Sequence, residues 1–267
     1  MALLTLSNIH KTFEKGTVNE NHVLRGLDLD IEQGDFISVI GGNGAGKSTL
    51  MNSIAGVVDI DEGDIVLDGQ SIRKTSVAAR SKDISRVFQD PRMGTATNLT
   101  IEENMAIAYR RGKKRSFFKK SVTEQERELF KETLTELGLG LENRMKTDAA
   151  FLSGGQRQAL TLAMATLVRP KILLLDEHTA ALDPKTSDMV MHLTKKIVEE
   201  QELTTLMITH NMEHAIEYGN RLIMLYHGKI VVDVRGDEKK NLTVAQLMDL
   251  FHKNSGQVLN DDALVLG

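Results

Sequence analysis

Gly41-Gly42-Asn43-Gly44-Ala45-Gly46-Lys47-Ser48 is the stretch that decides the fold, because it matches the pattern G-x-x-x-x-G-K-[ST]. It follows the apolar run 36–40, which is typical of a strand, and precedes the helical run 48–55. Glycines let successive backbone N–H groups point inward at a helix N-terminus, which forms an anion-binding nest. In such a loop the lysine reaches the β- and γ-phosphates and the serine hydroxyl ligates Mg²⁺. The sequence therefore predicts binding of a nucleoside triphosphate.

The runs on either side of this loop predict an α/β fold. Short apolar runs such as 3–6 and 24–31, with the hairpin-type turn Asp68-Gly69, predict a mostly antiparallel sheet in the opening third. The continuously apolar run 172–175 predicts a parallel strand that is buried on both faces. Strand and helix patterns then alternate to about residue 218, which favours a parallel sheet with crossover helices.

Helical periodicity between about residues 98 and 168 predicts a helical lobe inserted between the halves of this core. We expect one domain, 1–267, with these parts: a core with an antiparallel β subdomain at 1–89 and 169–234, a helical subdomain at 90–168, and a C-terminal helix and tail at 235–267. In the last part Thr243 and Gln246 have capping-box spacing. The apolar face of the helix that follows is expected to carry Val244, Leu247, Met248 and Phe251.

A second helix start also has the features of an anion site. In Leu152-Ser153-Gly154-Gly155-Gln156 a serine at the N-cap precedes two glycines, so a hydroxyl and backbone N–H groups are available to an anion. The same residues would also be found in an ordinary capped helix that is preceded by a flexible segment and binds no anion. Because one phosphate loop holds one nucleotide, this second helix end must face either another site or another subunit.

Two carboxylates, Asp176 and Glu177, follow the buried run 172–175, at the strand end where open α/β sheets bind their ligands. Asp176 suits Mg²⁺ coordination, directly or through water. Glu177 is then placed to polarise an attacking water as a general base. Acidic residues that merely end a strand are the alternative.

Two further polar residues end predicted strands. His210 follows the strand run 204–209 and could hydrogen-bond the γ-phosphate, although a lone histidine there is more often structural. Gln89 ends the run 84–88 at the junction with the helical lobe. Its amide could touch Mg²⁺ or the lytic water while its backbone moves with the lobe, but polar strand ends are common.

Composition excludes several classes of protein. The chain has 267 residues, a formal charge of −4 and no cysteine, which rules out disulfides and cysteine-built zinc sites. The N-terminus does not read as a signal peptide, and no apolar run approaches the ~20 residues of a membrane-spanning helix. The basic stretch 110–120 suits an anionic lipid surface, a permease loop or a solvated loop. The acidic balance and few aromatic residues, 4%, disfavour a nucleic acid partner.

Taken in order along the chain, these motifs resemble the ATP-binding cassette (ABC) ATPases. The match covers nearly the whole chain through 41–48, Gln89, 152–156, 172–177, Ala181-Leu182-Asp183 and His210. The resemblance implies an ABC-type P-loop ATPase fold and a head-to-tail homodimer with two ATP molecules between the subunits. It implies that one subunit binds ATP through Phe13, which stacks on adenine, and through Gly41, Gly42, Asn43, Gly44, Ala45, Gly46, Lys47, Ser48 and Thr49.

The same resemblance assigns the remaining residues of the site. The opposite subunit would contribute Ser153, Gly154, Gly155, Gln156 and Asp183, the last communicating between the two sites. Mg²⁺ would be held by Ser48, Gln89 and Asp176, and catalysis would rest on Glu177, His210 and Gln89. Two positions depart from the family pattern. Phe13 stands where members often have Tyr, and His178 stands where many have Pro in an Asp-Glu-Pro-Thr run.

The runs 176–184 and Gln89-Asp90-Pro91 resemble a narrower bacterial subfamily. Its ATPases serve permeases of the branched-chain amino acid and sugar type, together with an extracytoplasmic lipoprotein that binds the substrate. The resemblance thus implies a peripheral subunit on the cytoplasmic face of the cell membrane that powers import. Its expected cargo is a small solute such as tryptophan or tyrosine.

Three other functions remain open from the sequence. An exporter ATPase would share every motif. A soluble ABC-type ATPase acting on ribosomes is disfavoured because such members usually carry two cassettes, and one acting on DNA because its two halves would be separated by a very long coiled coil. A regulatory subunit without useful catalysis is disfavoured by the presence of Glu177 and His210.

Overall fold

The computed structural model describes residues 2–113 and 122–255. Of the predicted basic stretch 110–120, the part 114–120 lies outside the described residues, as does the part of the predicted tail that follows Ser255. Chain packing divides the described residues after Arg80 and after Glu202. The residues before Ser81 and after Glu202 form a first unit, and Ser81–Glu202 form a second.

Strands and helices alternate along much of the chain. The strands are β1 (Leu4–Phe13), β2 (Asn21–Ile31), β3 (Phe36–Ile40), β4 (Glu62–Leu67), β5 (Gln70–Ser71), β6 (Ile84–Val87), β7 (Ile172–Asp176), β8 (Thr205–Ile208), β9 (Arg221–Tyr226) and β10 (Lys229–Arg235). The helices are α1 (Lys47–Ala55), α2 (Val77–Arg80), α3 (Ile101–Tyr109), α4 (Glu124–Glu136), α5 (Gly154–Thr166), α6 (Pro184–Glu200), α7 (Met212–Glu217), α8 (Gly236–Lys240) and α9 (Val244–Ser255).

An antiparallel sheet of order β2-β1-β4-β5 lies in the first unit. Leu4, Leu6 and Ile9 of β1 are buried and alternate with more exposed positions over part of the strand, so one face of the sheet packs on the core. The turn Asp68-Gly69 joins β4 to β5 with φ angles of 51° and 74°. Both residues are therefore left-handed, which is the hairpin turn that the sequence predicts.

The first unit also contains the strands β10-β9-β3-β8, in that order. β3 pairs in parallel with β8 on one side and with β9 on the other, and all five of its residues are buried. A strand that is covered on both faces has a nearly continuous apolar sequence, and in β3 only Ser38 is polar, with its hydroxyl donating to the carbonyl oxygen of Tyr218. This composition makes 36–40 recognisable as a strand. Because β3 pairs in parallel on both sides, the residue that follows it lies at the carboxyl edge of a parallel sheet.

In the second unit β6 and β7 pair in parallel, with Val87 opposite Leu175. The helices α3, α4 and α5 of this unit bury side chains such as Phe130, Leu134 and Leu160 completely. α3, α4 and α5 each begin with a capping box. Because these boxes satisfy N–H groups that a helix leaves open, they fix where the helices begin.

The predicted α/β class is confirmed, while two details of the C-terminal region differ from expectation. The hairpin β9–β10 was not predicted, although its turn His227-Gly228 has φ angles of 46° and 76°, typical of a two-residue hairpin turn. In α9, Leu247, Met248 and Phe251 are buried, but Val244 is 38% exposed. Val244 is the first residue of the helix. The subdomain limits at residues 89 and 168 stay predictions.

Candidate functional site

The phosphate-binding loop begins where β3 ends, and its first residue must be glycine. Gly41 has a φ of 148°, and a Cβ added to it would lie 2.3 Å from the carbonyl oxygen of Leu225. Helix α1 begins six residues later at Lys47, with Gly46 as a left-handed N-cap. The N–H groups of the first turn of a helix have no acceptor within that helix. The loop therefore ends at a helix start that can bind an anion.

Lys47 is 5% exposed even though it carries a charge. Its Nζ donates to the carbonyl oxygens of Gly41 at 2.5 Å and Gly42 at 3.2 Å. The ammonium is thus held against the loop backbone, where it would meet a bound phosphate. The other predicted residues of the loop are described by exposure: Asn43, Gly44 and Ser48 are exposed, Thr49 is half-buried, and Ala45 is buried.

His210 lies at the carboxyl edge of the same strands. It follows β8 by two residues, and the N–H of Thr209 still donates to the carbonyl oxygen of Val39 in β3. A small pocket is lined by Ile40, Gly41, Thr209, His210, Met212 and Met224. The structure therefore brings the predicted His210 and the first residue of the phosphate loop to one pocket, as expected where two parallel strands end side by side.

Phe13 ends β1, in the antiparallel sheet of the first unit. Its ring is 37% exposed, and the Nζ of Lys11 lies 5.3 Å from the ring centroid. An exposed aromatic face at the end of a strand can stack on a planar base. The geometry is compatible with the predicted adenine contact.

In the second unit the ends of β6 and β7 carry the predicted polar residues. Asp176 is the last residue of β7, and Gln89 follows β6 by two residues and is exposed. Because the strands are parallel and in register, Gln89 and Glu177 follow equivalent positions in the two strands. Asp176 accepts a hydrogen bond from the guanidinium of Arg86 at 2.5 Å. Sequence reasoning missed Arg86.

Glu177 adopts a left-handed backbone conformation, with a φ of 46°. Its carbonyl oxygen accepts from the N–H of Ala180 at 2.9 Å, which closes a turn directly after β7. The next residue, His178, is 2% exposed. The carboxylate thus stands on a strained turn whose neighbour is anchored in the interior.

Ser153 is the N-cap of α5, and it is exposed together with Gly154. Its Oγ accepts from the N–H of Gln156 at 3.2 Å, and its own N–H donates to Oε1 of Gln156 at 3.1 Å. A Cβ on Gly155 would lie 2.2 Å from Cγ2 of Thr186, so this glycine is required by the approach of α6. The helix start is therefore rigid and faces outward at Ser153.

Asp183 is exposed and caps α6, since its Oδ1 accepts from the N–H of Thr186 at 3.1 Å. Hydrogen bonds from Thr186 lower the pKa of Asp183 below its ordinary value, and this carboxylate stays charged at neutral pH.

A second residue that sequence reasoning missed is Gln158, which is completely buried in α5. Its Nε2 donates to the carbonyl oxygen of Phe88 at 3.2 Å, directly before Gln89. A buried glutamine in an amphipathic helix is a signal that a polar partner is near. The sequence does not say that the partner is the backbone next to Gln89.

Within residues 2–113 and 122–255, no helix has both the length and the apolar character needed to cross a membrane.

Comparison with known proteins identifies the family of this chain. The family model described as ABC transporter matches residues 24–180. The tyrosine transport ATP-binding protein of Clostridioides difficile strain R20291 is 45% identical over 249 residues, which cover 93% of this chain and 98% of that protein. The phosphonates import ATP-binding protein PhnC of Lactobacillus johnsonii is 34% identical over 269 residues, covering 98% of this chain and all of that protein, 100%.

Solved structures agree with the sequence comparison. A dimeric ATP-binding cassette in a post-hydrolysis state, bound to ADP and Pi, superposes with a TM-score of 0.73 at 30% identity, over 87% of this chain and 98% of that one. The ADP conformation of an ATP-binding cassette of an ABC transporter gives a TM-score of 0.74 at 28% identity, over 94% and 98%. The α/β ABC ATPase fold is thereby confirmed. With more than half of its length matched by the family and full-length relatives above 30% identity, this chain belongs to the ABC transporter family as an ATP-binding, ATP-hydrolysing subunit.

Proposed function

We propose that this protein is the ATPase of a bacterial importer, and that it powers uptake of a small solute through a separate permease. The observation that carries the proposal is the 45% identity, over nearly the full length of both chains, to a tyrosine transport ATP-binding protein. Other relatives are named as import ATP-binding proteins for phosphonates and methionine. Tyrosine, or a related aromatic amino acid such as tryptophan, is the proposed cargo.

The proposed chemistry assigns one task to each residue. Lys47, the loop 41–49 and the first turn of α1 bind the phosphates, and Phe13 stacks on adenine. Glu177 acts as the general base that takes a proton from the attacking water, a role worth about 10²–10⁴-fold in rate. His210 orders the γ-phosphate. The side-chain amide of Gln89 contacts the lytic water.

Mg²⁺ fits the donor atoms that the chain offers. The predicted ligands Ser48, Gln89 and Asp176 offer a hydroxyl, an amide and a carboxylate oxygen. Mg²⁺ prefers oxygen ligands, of which the protein usually supplies few and water or phosphate the rest. Bound there, the ion would neutralise charge on the phosphates. The protein orients the Asp176 carboxylate through the hydrogen bond that Arg86 donates to its Oδ2.

The proposed working unit is a head-to-tail homodimer. Ser153–Gln156 and Asp183 of one subunit would complete the ATP site of the other. Two observations support this: Ser153, Gly154 and Asp183 are exposed on this chain, and an ATP-binding cassette of similar fold is dimeric in a state bound to ADP and Pi. A helix start with an exposed serine suits a phosphate from a neighbouring molecule.

The proposal also includes the other partners. The dimer would bind two integral membrane permease subunits at the cytoplasmic face of the cell membrane, and an extracytoplasmic lipoprotein would deliver the substrate. No nucleic acid partner is proposed. The family membership supports the permease; the lipoprotein rests on the subfamily resemblance of the runs 176–184 and Gln89-Asp90-Pro91.

The test compares two variants that fail at different steps. Glu177→Gln should bind ATP normally, lose at least about 99% of turnover and accumulate as an ATP-loaded dimer in size-exclusion chromatography. Lys47→Ala should instead lose ATP affinity. Wild-type turnover in Glu177→Gln would remove the base assignment, and unchanged ATP binding in Lys47→Ala would remove the loop assignment.

Cargo and direction need the assembled transporter. The ATPase is reconstituted in proteoliposomes with candidate permease subunits and substrate-binding lipoproteins from the same genome, and labelled tyrosine, tryptophan and a phosphonate are supplied on the side opposite the ATPase. ATP-dependent accumulation of an aromatic amino acid supports the proposal. Accumulation of the phosphonate alone, or movement in the opposite direction, contradicts it.

A further inference from the structure

The residue directly after Glu177 is a buried histidine. His178 is 2% exposed, and it stands where the resemblance places proline in many members. Burial of an imidazole is unfavourable unless its nitrogens find hydrogen-bond partners. His178 therefore has a structural cost that proline would not have, and its contacts show what it provides in return.

One hydrogen-bond partner of His178 is a threonine in the middle of α6. Nε2 of His178 lies 3.0 Å from Oγ1 of Thr194, whose side chain is completely buried. The hydroxyl of Thr194 donates to the carbonyl oxygen of Val190 at 2.8 Å. Because a hydroxyl has a single proton, Oγ1 accepts from His178, and the proton of the imidazole that faces α6 is on Nε2.

This hydrogen bond holds a strained piece of backbone. Glu177 has a φ of 46°, in the left-handed region that a residue other than glycine adopts only at a cost in free energy. The turn that follows is short, with hydrogen bonds from Ala180 to Glu177 at 2.9 Å and from Leu182 to Thr179 at 3.1 Å. Such a conformation persists only where the surroundings fix it. The bond from His178 to Thr194 ties this turn to a 17-residue helix.

Proline would fix the same place by a different means. Its ring sets its own φ, without any polar atom that needs a partner. Histidine leaves that angle free. In this chain the hydrogen bond to Thr194 takes the place of the constraint that the ring supplies in proline-containing relatives.

We propose that His178 is a positioning residue, which holds the backbone of Glu177 through its hydrogen bond to Thr194 and so keeps the carboxylate aimed at the attacking water. This inference rests on the proposed role of Glu177 as general base. It adds a residue pair, His178 and Thr194, that is buried in the second unit and acts on turnover.

Thr194→Val is the decisive variant, because it keeps the shape of the side chain and removes the acceptor. We expect kcat for ATP hydrolysis to fall about tenfold, since small displacements of a catalytic group cost factors of this size. ATP affinity should stay within about twofold, because the phosphate loop is untouched. Thr194→Ser keeps the hydroxyl, so its kcat should stay close to that of the wild type. The same is expected of His178→Gln, whose amide places a donor near the position of Nε2.

A double-variant cycle separates positioning from general damage to α6. His178→Pro removes the hydrogen bond to Thr194, so in this background Thr194→Val should lower kcat no further. If Thr194→Val still lowers kcat by the same factor in that background, the effect does not pass through residue 178 and the inference is wrong. An equal loss of kcat and ATP affinity in Thr194→Val would also overturn it.

Glu177→Gln, measured beside these variants, distinguishes the two levels of the proposal. Wild-type turnover in Glu177→Gln contradicts the proposed base itself. Loss of turnover in Glu177→Gln together with normal kcat in Thr194→Val leaves the base in place and overturns only the role of His178.

Discussion

The guanidinium of Arg86 donates from Nη2 to Oδ2 of Asp176 at 2.5 Å, across the parallel pair β6–β7. Both side chains are only 15% exposed, and the guanidinium also lies 4.9 Å from the ring centroid of Phe88. One oxygen of the proposed Mg²⁺ ligand is therefore held by a cation of the neighbouring strand. The hydrogen bond therefore fixes the orientation of the Asp176 carboxylate at the end of β7.

Arg86→Met is expected to reduce the free energy of unfolding by about 1–3 kcal/mol, because it leaves a largely buried carboxylate without its cation. Urea denaturation without nucleotide measures the loss. Arg86→Lys keeps the charge but not the planar fork, and should lose less. The same urea midpoint in Arg86→Met and wild type would show that the ion pair contributes nothing to stability.

Gly41→Ala should destabilise the protein by at least about 2 kcal/mol, because the new methyl group would overlap the carbonyl oxygen of Leu225. Gly44→Ala is the matched control. Gly44 has a φ of 77°, and a Cβ there meets nothing within 4 Å. It should lose only the conformational cost of about 1–2 kcal/mol. Thermal unfolding of both variants tests the difference, and equal losses would contradict the close approach at Gly41.

Local patterns allowed much of the fold to be predicted. The buried strand β7 opens with a continuous apolar run, and β3 is apolar except for Ser38. The turn Asp68-Gly69 has the residues that a left-handed pair requires, and Thr243 pairs with Gln246 in a capping box. In each case the physical cause lies within a few residues of the chain. The phosphate loop belongs to this class, since consecutive N–H groups at a helix start need only a local glycine-rich segment.

What could not be predicted depends on distant residues. Arg86 and Asp176 are 90 positions apart in the sequence, and Gln158 is 70 positions from Phe88. Their residue types are common, so no spacing in the sequence marks them as partners. The hydrogen bond between His178 and Thr194 likewise joins residues that are 16 positions apart, one in the turn after β7 and one in α6. Roles assigned to Glu177, Gln89 and Ser153 stay predictions for a related reason, because they concern a nucleotide and a second subunit.

Gly94→Ala probes the packing of the segment after Gln89 against α5. A Cβ on Gly94 would lie 2.4 Å from Cγ2 of Thr161, while the φ of −91° suits alanine. The expected loss of about 1–3 kcal/mol therefore comes from overlap alone. Thr161→Ser removes Cγ2 and retains the hydroxyl that donates to Arg157. The double variant should regain most of the loss, and additive losses in a urea-denaturation cycle would contradict this contact.

Lys239 should make the free energy of unfolding depend on pH in the alkaline range. Its Nζ, buried in the first unit, donates to the carbonyl oxygens of Ile216 at 2.7 Å, Tyr218 at 2.9 Å and Gly219 at 2.9 Å. Burial lowers the pKa of Lys239 from 10.5 to about 8. Between these two values the unfolded chain binds more protons than the folded one, so the contribution of Lys239 to stability rises with pH across this window.

Lys239→Met lacks this titration and serves as the reference. The free energy of unfolding of the wild type, relative to that of Lys239→Met, should increase by on the order of 1 kcal/mol between pH 7.5 and pH 9.5. Urea denaturation of both proteins at each pH measures the difference, and titrations common to the two cancel. A difference that stays constant, or that falls as pH rises, would mean that the three carbonyl oxygens keep the ammonium charged in the folded protein and that burial does not govern its pKa.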